Sequence, residues 1–316
     1  MILLNGLKQT ALLPGPVVAT IGNFDGVHRG HQALLNSLRR QATMLQCPLL
    51  VILFEPQPAE YFQPVQSPVR LTRLRKKLQV LESLGVDYVC CLKFNVQLAQ
   101  MPAADFAENI LFKSLQVTYL LTGDDFRFGR DRVGDIHLLT SIGKKYNAVV
   151  ETFPNFQIKD ERISSTGIRL ALQQGNLQHA ASCLGRPYSL CGRVIQGDGR
   201  GRQWGIPTAN IALQHQRLPL SGVFAVYVKR RQDDTLYQAV ANIGRRPTIE
   251  GQMKLTFEVH LLEFNESIYG EMLDVTFMHH LRNEEKFNSV DALINQIHQD
   301  IASAKRLFSS EITTTE

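Results

Sequence analysis

The strongest constraint on the fold is a change of pattern along the chain. Up to about residue 150, short apolar runs alternate with amphipathic segments, which predicts strands alternating with helices. The predicted strands are 16–22, 49–55, 87–94 and 117–123, and the predicted helices are 31–45, 73–85 and 104–115. This alternation favours a mainly parallel sheet with helices on both faces. In such sheets, ligands bind beyond the carboxyl ends of the strands.

After residue 186, strand-like segments follow one another with only turns between them, which predicts an antiparallel barrel or sandwich. These segments are 188–197, 222–231, 236–244, 254–264 and 271–281. A final amphipathic stretch, 289–308, predicts a closing helix. We therefore expect two domains, 1–186 and 187–316.

The composition is that of an ordinary globular protein. The chain has 316 residues, of which 44% are hydrophobic and 20% charged, and this length accommodates two domains. No apolar run approaches the roughly 18 residues of a membrane span, and the first residues lack the pattern of a secretory signal. The five cysteines have no zinc-binding spacing, so we expect reduced structural thiols. We predict a cytoplasmic protein without a membrane partner, as a monomer or weak homo-oligomer.

The chain is basic, with a formal net charge of +5. A positive charge suits either a nucleic acid or phosphorylated small molecules as partners. The densest basic cluster, RLTRLRKK at 70–77, predicts a solvated helix face. An RNA-binding protein would show salt-sensitive binding without ATP turnover. That alternative leaves the motifs described next unexplained, so we expect no nucleic-acid partner.

The segment 20-TIGNFDGVHRGHQALL-35 places two histidines where a predicted strand turns into a helix. His28 and His31 can both face one phosphate there, and the helix N-terminus adds N–H groups and a positive dipole end. Nucleotidyl transfer needs no protein nucleophile, because alignment and charge stabilisation suffice. The alternative is a capped turn with two incidental histidines.

Two further segments strengthen the phosphate interpretation. ISSTGIRLAL at 163–172 carries hydroxyls directly before a helical run, with an arginine one turn in, which suits a polyphosphate clamp. Plain helix capping is the alternative. LLTGDDFRFGRDRVGD at 120–135 places acidic residues after a strand, followed by an aromatic–cation surface that can stack on a flat ring. Core packing is the alternative for its aromatic residues.

In this order and spacing, GNFDGVHRGH, FEPQPAEYF, TGDDFRFG and ISSTGIR resemble the FMN adenylyltransferase module of bacterial bifunctional riboflavin kinase/FAD synthetases. The resemblance implies a Rossmann-like nucleotidyltransferase domain that binds ATP and FMN. In it, the histidine pair would stabilise the reacting phosphates. The other implied site residues are Asn23 beside the ATP phosphates; Ser165, Thr166 and Arg169 on the leaving pyrophosphate; and Asp125, Phe126, Arg127 and Phe128 beside the flavin or orienting a ligand. Asp125 stands where some family members have asparagine.

The second half contains a glycine-rich segment, GRVIQGDGRGRQWGIPTANI at 192–211. It is neither a Walker A loop nor a dinucleotide fingerprint, because no G-K-[ST] and no helix follows its glycines. Its backbone amides can approach phosphate at four positions: Gly197, Gly199, Gly201 and Gly205. Thr208 and Asn210 lie two apart, so on a strand they share a face and can complete a magnesium shell with ATP oxygens. A plain glycine-rich hairpin is the alternative.

Phosphorylation of an alcohol also calls for a base near the hydroxyl. In LTFEVHLLEF at 255–264, Glu258 alternates with apolar neighbours and is the preferred candidate, ahead of Glu263. Solvent exposure is the alternative for Glu258.

The glycine-rich segment, ANIGRRPT (241–248), EVHLLEF and LRNEEKF (281–287) are similar to the riboflavin kinase module of the same family. The resemblance implies a six-stranded Greek-key β-barrel with a C-terminal helix. It makes Glu258 the base for the riboflavin 5′-hydroxyl and places Thr208 and Asn210 at Mg-ATP. Trp204 stands where an aliphatic residue is usual.

We therefore predict a bifunctional enzyme of flavin biosynthesis. One module phosphorylates riboflavin to FMN, and the other transfers AMP from ATP to FMN, giving FAD and pyrophosphate. Mg²⁺ accompanies ATP in both steps, and riboflavin, FMN and FAD are substrates or products. A nucleotidyltransferase with another acceptor, such as a phosphopantetheine or nicotinate nucleotide, is the rival. That rival needs no second β module.

Overall fold

A parallel sheet of six strands forms the centre of the first of two compact units, Met1–Ser165 and Thr166–Glu316. The structure is a computed structural model that describes residues 1–158, 161–197, 199–212, 217–231, 235–247 and 253–313. Asp198 of the glycine-rich segment and Thr248 of ANIGRRPT lie outside the described residues.

The strands of this sheet are β1 (Ile2–Asn5), β2 (Val17–Ile21), β3 (Leu49–Glu55), β4 (Tyr88–Lys93), β5 (Val117–Gly123) and β6 (Val149–Phe153). They run parallel in the order β1-β4-β3-β2-β5-β6. All four predicted strands are confirmed. The prediction missed β1, which has only four residues, and β6, which lies at the sheet edge and buries none of its residues fully.

Helices cover both faces of the sheet, as predicted. They are α1 (Arg29–Leu45), α2 (Pro58–Phe62), α3 (Leu74–Ser83), α4 (Val96–Ala99), α5 (Ala103–Asp105), a π-helix (Phe106–Ser114), α6 (Ile136–Lys145) and 3₁₀ turns at Leu7–Leu12 and Arg130–Arg132. Along β2, Val17, Ala19 and Ile21 enter the core beneath the π-helix and α6, whereas Val18 enters the core beneath α1 and α3. A two-stranded ribbon, β7 (Gln157–Ile158) and β8 (Glu161–Arg162), follows β6.

The order of the strands reverses between β2 and β5. From β2 the chain moves to β3 and β4 on one side, and β5 and β6 then lie on the other side. Such a switch point opens a crevice at the carboxyl ends of the strands, where ligands bind. The predicted histidine turn follows β2, and the segment TGDDFRFG begins at the end of β5.

The second unit is a closed antiparallel barrel with the strand order β10-β13-β12-β11-β14-β9. Its elements are α7 (which starts at the last residue of the first unit, Ser165–Gln173), α8 (Leu177–Leu184), β9 (Ser189–Ile195), α9 (Arg200–Gln203), β10 (Ala209–Ile211), β11 (Gly222–Arg230), β12 (Leu236–Pro247), β13 (Met253–Leu261), β14 (Met272–Arg282) and α10 (Val290–Thr313). β11, β12 and β13 are consecutive neighbours and β14 returns beside β11, which is a Greek-key connection. The predicted six-stranded barrel and closing helix are confirmed.

Aromatic packing fills the barrel. The ring of Phe277 lies 5.3 Å from that of Phe224 and 6.1 Å from that of Phe257, and all three are buried. On the barrel exterior, α10 buries Ala304 and Phe308 against side chains of β11 and β12. These contacts exclude water from both faces of β11, which favours the barrel as a stable unit.

Candidate active sites

The turn between β2 and α1 has an unusual backbone. Phe24, Gly26 and Val27 have φ angles of 47°, 85° and 42°. For the two residues other than glycine this conformation costs on the order of 1–3 kcal/mol each, so the surrounding structure must hold it. The turn exposes the side chain of Asn23 and ends at His28, the N-cap of α1.

The segment 70–77 supplies much of that support. The buried Asp25 carboxylate accepts the backbone N–H groups of Leu71 and Thr72 at 3.0–3.1 Å. The Thr72 hydroxyl accepts the N–H of Gly26 at 3.0 Å. Lys77 Nζ donates to the carbonyl oxygen of the first turn residue, Asn23, at 2.6 Å.

The predicted solvated face at 70–77 is therefore wrong for two of its basic residues. The Arg70 side chain is 9% exposed and pairs with Glu55 and Glu60. Lys77 is 2% exposed. The helical charge pattern gave no sign of their partners, because these lie on other elements that only the tertiary fold brings close.

The two histidines stack on each other, with ring centroids 3.7 Å apart and planes 17° apart. His28 Nδ1 accepts the backbone N–H of His31 at 3.4 Å, which assigns the proton of a neutral His28 ring to Nε2. His31 Nδ1 is buried and has no hydrogen-bond partner among the described residues. Burial, then the neighbouring His28 and Lys77, hold the pKa of His31 well below its usual value. Nδ1 of His28 is therefore used at the start of α1, and burial favours the neutral form of the His31 ring.

The ISST segment touches the same turn. The Ser165 hydroxyl donates to the Asp25 carbonyl at 2.8 Å, so its single proton is already used within the protein. Thr166 is exposed and Arg169 half-buried on α7, and both belong to the second unit. The structure thus brings Ser165 to the histidine turn as a support for its backbone.

The segment after β5 divides into exposed and core residues. Asp125 is largely exposed and pairs with Arg162 at 2.9 Å. Arg127 is exposed and donates to the Phe126 carbonyl, while the Phe126 ring is half-buried. Phe128 is buried and packs 5.7 Å from Phe126, centroid to centroid, so core packing describes this residue.

Sequence reasoning missed an aromatic cluster beyond the ends of β3 and β4. Tyr61, Phe62 and Phe94 form a triad with ring centroids 5.3–5.7 Å apart. Phe62 is 63% exposed, so the cluster presents one apolar ring to solvent. The Arg70–Glu60 pair ties the helix that carries two of these rings to the segment 70–77. The adjacent aromatics of FEPQPAEYF are the signal that would have identified it.

In the second unit, the glycine-rich segment connects the paired strands β9 and β10 and contains the short helix α9, where no helix was expected. A Cβ on Gly197 would lie 2.1 Å from Asn210 Nδ2, and one on Gly201 would lie 3.1 Å from Thr208 Oγ1. Glycine therefore lets this backbone close over the two proposed metal ligands. Gly199 and Gly205 have φ angles of 71° and 74°, the left-handed region that glycine adopts freely.

Glu258 lies between two asparagines on the barrel surface. It is directly opposite Asn210 on β10 and Asn242 on β12. Paired residues of adjacent strands share a face, so the three polar groups form a row. Glu258 is half-buried. By contrast, the side chain of Glu263 is 82% exposed, and its ion pair with Lys305 at 2.9 Å lowers its pKa.

A cavity of about 290 Å³ lies against β10 and β13. It is lined by Val194, Arg202, Pro207, Thr208, Ala209, Val259, Leu261 and the segment 264–269. Arg230 anchors that segment, because its guanidinium donates to both Glu271 oxygens at 2.8–2.9 Å and to Glu266 at 3.1 Å. Thr208 lies on the cavity wall, just before β10. Its strand neighbours on that wall, Ala209 and Val259, alternate with Asn210 and Glu258, so the polar row belongs to the other face of the two strands.

The parallel sheet with its switch point and the closed barrel with its polar row define the class, a two-domain protein with one candidate site in each unit. Family comparison supplies the particular family. The FAD synthetase model matches residues 12–167, and the riboflavin kinase model matches residues 184–308. The chain belongs to the family of bifunctional riboflavin kinase/FMN adenylyltransferases.

Full-length relatives agree. The chain is 46% identical over 310 residues to the bifunctional riboflavin kinase/FMN adenylyltransferase of Haemophilus influenzae, covering 98% of this chain and 100% of the relative. It is 44% identical over 309 residues to the protein of the same description from Escherichia coli, covering 98% of each. A crystal structure described as a macrolide-efflux protein from Streptococcus pneumoniae matches with a TM-score of 0.83 and 30% identity, over 96% of this chain and 98% of that one.

The predicted family, fold class and pair of activities are therefore confirmed. The chain is a riboflavin kinase and an FMN adenylyltransferase, with ATP and flavins as substrates. Across the described ranges, no helix combines the length and apolarity that crossing a membrane requires. All five cysteines are free, and burial raises the pKa of the Cys90 thiol to about 12.

Proposed function

We propose that adenylyl transfer takes place at the histidine turn and riboflavin phosphorylation at the row Asn210–Glu258–Asn242. The stacked histidine pair at the switch point of the sheet is the observation that carries the first assignment. The placement of one carboxylate directly between two asparagines carries the second.

In adenylyl transfer, a phosphate oxygen of FMN attacks the α-phosphorus of ATP, and the bond to pyrophosphate breaks. The protein aligns the reactants and stabilises the charge on the phosphoryl oxygens. His28 donates from Nε2, and an arriving polyphosphate favours protonation of His31, which adds a positive charge. The first N–H groups of α1 face the same anion.

The remaining proposed contacts follow the family resemblance. Asn23 lies beside the ATP phosphates, and Thr166 and Arg169 hold the leaving pyrophosphate next to Ser165, whose hydroxyl proton is bound to the Asp25 carbonyl. Tyr61 and Phe62 offer an exposed aromatic face to the flavin ring. The segment 125–128 orients the ligand from the end of β5.

In riboflavin phosphorylation, the 5′-hydroxyl oxygen of riboflavin attacks the γ-phosphorus of ATP, and ADP leaves. Glu258 accepts the proton of this hydroxyl. The flanking amides of Asn210 and Asn242 orient the carboxylate or the hydroxyl. The cavity beside Thr208 receives ATP, and the backbone of Gly197, Gly199, Gly201 and Gly205 closes over the phosphates.

The residues at this site suit a magnesium ion. Thr208 and Asn210 present a hydroxyl and an amide oxygen, which are hard donors of the kind that Mg²⁺ prefers. Gly197 and Gly201 keep the space beside them free of Cβ atoms. Thr208 and Asn210 would hold the ion together with ATP oxygens, where it would neutralise phosphate charge.

We assign adenylyl transfer to residues 1–186 and phosphorylation to residues 187–316. The matched family regions, 12–167 and 184–308, support this division. We further propose a cytoplasmic enzyme that acts as a monomer or weak homo-oligomer on small molecules; five free thiols suit a reducing compartment.

The test uses full-length variants assayed separately for FMN formation from riboflavin and for FAD formation from FMN. Glu258→Gln should lower riboflavin phosphorylation roughly 10²- to 10⁴-fold, the usual effect of removing a general base, while FAD formation stays intact. Glu263→Gln is the matched control and should affect neither step. His28→Asn keeps an N-cap and removes the imidazole. It should lower only FAD formation, on the order of 10²-fold or more. Equal loss of both activities in either site variant would contradict the assignment.

A further inference from the structure

A lysine on α3 is buried and takes no part in either proposed reaction. Lys77 is 2% exposed, although lysine is almost never fully buried unless it is paired. Its ammonium donates to the Asn23 carbonyl at 2.6 Å, across 54 residues of sequence. The lysine thus holds the residue at which the strained turn begins.

Burying the charged ammonium of Lys77 costs desolvation free energy. Burial lowers the pKa of Lys77, and Arg70 acts in the same direction. Asp25, Glu55 and Cys91 oppose that shift by favouring the charged form. A packed apolar side chain would avoid this desolvation. The arrangement therefore needs a reason other than stability.

The turn itself offers one reason. Phe24 and Val27 occupy left-handed backbone conformations that persist only when neighbours over-determine them. Leu71 and Thr72 hold the middle of the turn at Asp25 and Gly26, and Lys77 binds its first residue. Without the ammonium, the start of the turn loses its connection to α3.

The histidine pair offers a second reason. Burial first, and then His28 and Lys77, disfavour protonation of His31. An anionic polyphosphate would oppose this effect. The buried ammonium of Lys77 thus fixes the backbone of the turn and also disfavours protonation of the His31 ring, which is proposed to meet the phosphates.

We infer that Lys77 is a positioning residue of the adenylyl-transfer site, whose buried ammonium fixes the strained turn at Asn23 and so places the histidine pair that ends this turn. This inference rests on the proposed location of adenylyl transfer. It assigns Lys77 no contact with substrate.

The experiment compares full-length Lys77→Met and Lys77→Gln with Lys76→Met, a control that removes the same charge from the neighbouring, half-exposed position of α3. FAD formation, riboflavin phosphorylation and the titration of the His31 ring by NMR without substrates are measured for each. Both Lys77 variants should lower kcat/KM for FAD formation about 10- to 100-fold, since displacements near 1 Å have effects of this size. The His31 titration should move to higher pH in both. Riboflavin phosphorylation and every property of Lys76→Met should stay at the level of the unsubstituted protein.

Three results would overturn the inference: unchanged FAD formation, an unmoved His31 titration, or a first unit that unfolds in both Lys77 variants, which would make the lysine merely structural. Failure of the underlying site assignment looks different. In that case His28→Asn would itself retain full FAD formation, whatever the Lys77 variants do.

Discussion

The buried pair between Arg230 and Glu271 allows a quantitative test of how the kinase cavity is held. Both side chains are 8% exposed, and the guanidinium meets both carboxylate oxygens at 2.8–2.9 Å. Arg230→Met removes the cation and leaves the Glu271 carboxylate buried without it. Breaking a buried pair in this way costs about 3–5 kcal/mol, because the remaining charge is desolvated. With a urea dependence of about 2 kcal/mol per molar, the midpoint of unfolding should fall by roughly 2 M.

The assay can be restricted to the second unit. The chain has one tryptophan, Trp204, and it lies in that unit beside α9. Its fluorescence during urea unfolding therefore reports the barrel and avoids the two-state assumption for the whole chain, which two-domain proteins violate. Lys305→Met is the control, because it breaks only the exposed ion pair with Glu263 and should leave the midpoint nearly unchanged.

The double variant Arg230→Met/Glu271→Leu tests whether the lost stability comes from the unpaired Glu271 carboxylate. It removes both charges, so most of the lost stability should return. The guanidinium of Arg230 also contacts Glu266 and the Phe264 ring, so Arg230→Met should loosen the segment 264–269. The KM for ATP in riboflavin phosphorylation should therefore rise. A midpoint in Arg230→Met within 0.5 M of the unsubstituted protein, or a double variant less stable than the single one, would refute the reasoning, since the expected loss is roughly 2 M.

Two other predictions follow from local geometry. The pKa of His31 is lower in the folded chain than in the unfolded chain, so the unfolded state binds the proton first as the pH falls below about 6.5. The contribution of the neutral His31 ring to the stability of the first unit is then lost as the pH falls from that value to the folded pKa of His31. His31→Gln should therefore lessen the fall in the calorimetric Tm of this unit between neutral and acidic pH. An equal fall in both proteins would contradict this. Gly197→Ala would place a Cβ 2.1 Å from Asn210 Nδ2 and so displace this amide. Riboflavin phosphorylation should drop on the order of 10²-fold, while FAD formation from FMN stays unchanged. Full kinase activity would show that Asn210 is not required in its observed position.

The sequence predicts most strands where burial is continuous. The strands predicted at 49–55 and 117–123 match β3 and β5 residue for residue, because both are apolar runs that contribute to cores on two faces of the sheet. The edge strand β6 lacks that signal, since it is largely exposed. Periodicity detects burial, so it identifies central strands better than edges.

The site is predictable where one residue type implies the chemistry and not where a partner is distant in sequence. Motifs and local patterns select His28, His31 and Glu258 as candidates, and their roles stay predictions. The cross-strand position of Asn242 beside Glu258 depends on the register of β12 and β13, which no local pattern specifies. The burial of Lys77 was missed for a related reason, since its partner Asn23 is 54 residues away.

The division of labour between the two units is tested most directly by complementation. Glu258→Gln should make FAD from FMN but not from riboflavin, and His28→Asn should convert riboflavin to FMN and stop. Neither variant alone, given riboflavin, ATP and Mg²⁺, should accumulate FAD on chromatography. An equimolar mixture of the two should make FAD, because FMN released by one protein is adenylylated by the other. If the mixture forms FMN but no FAD, although Glu258→Gln converts added FMN, the two sites do not share FMN through solution. If either variant alone makes FAD from riboflavin at the unsubstituted rate, the assignment of that residue is contradicted.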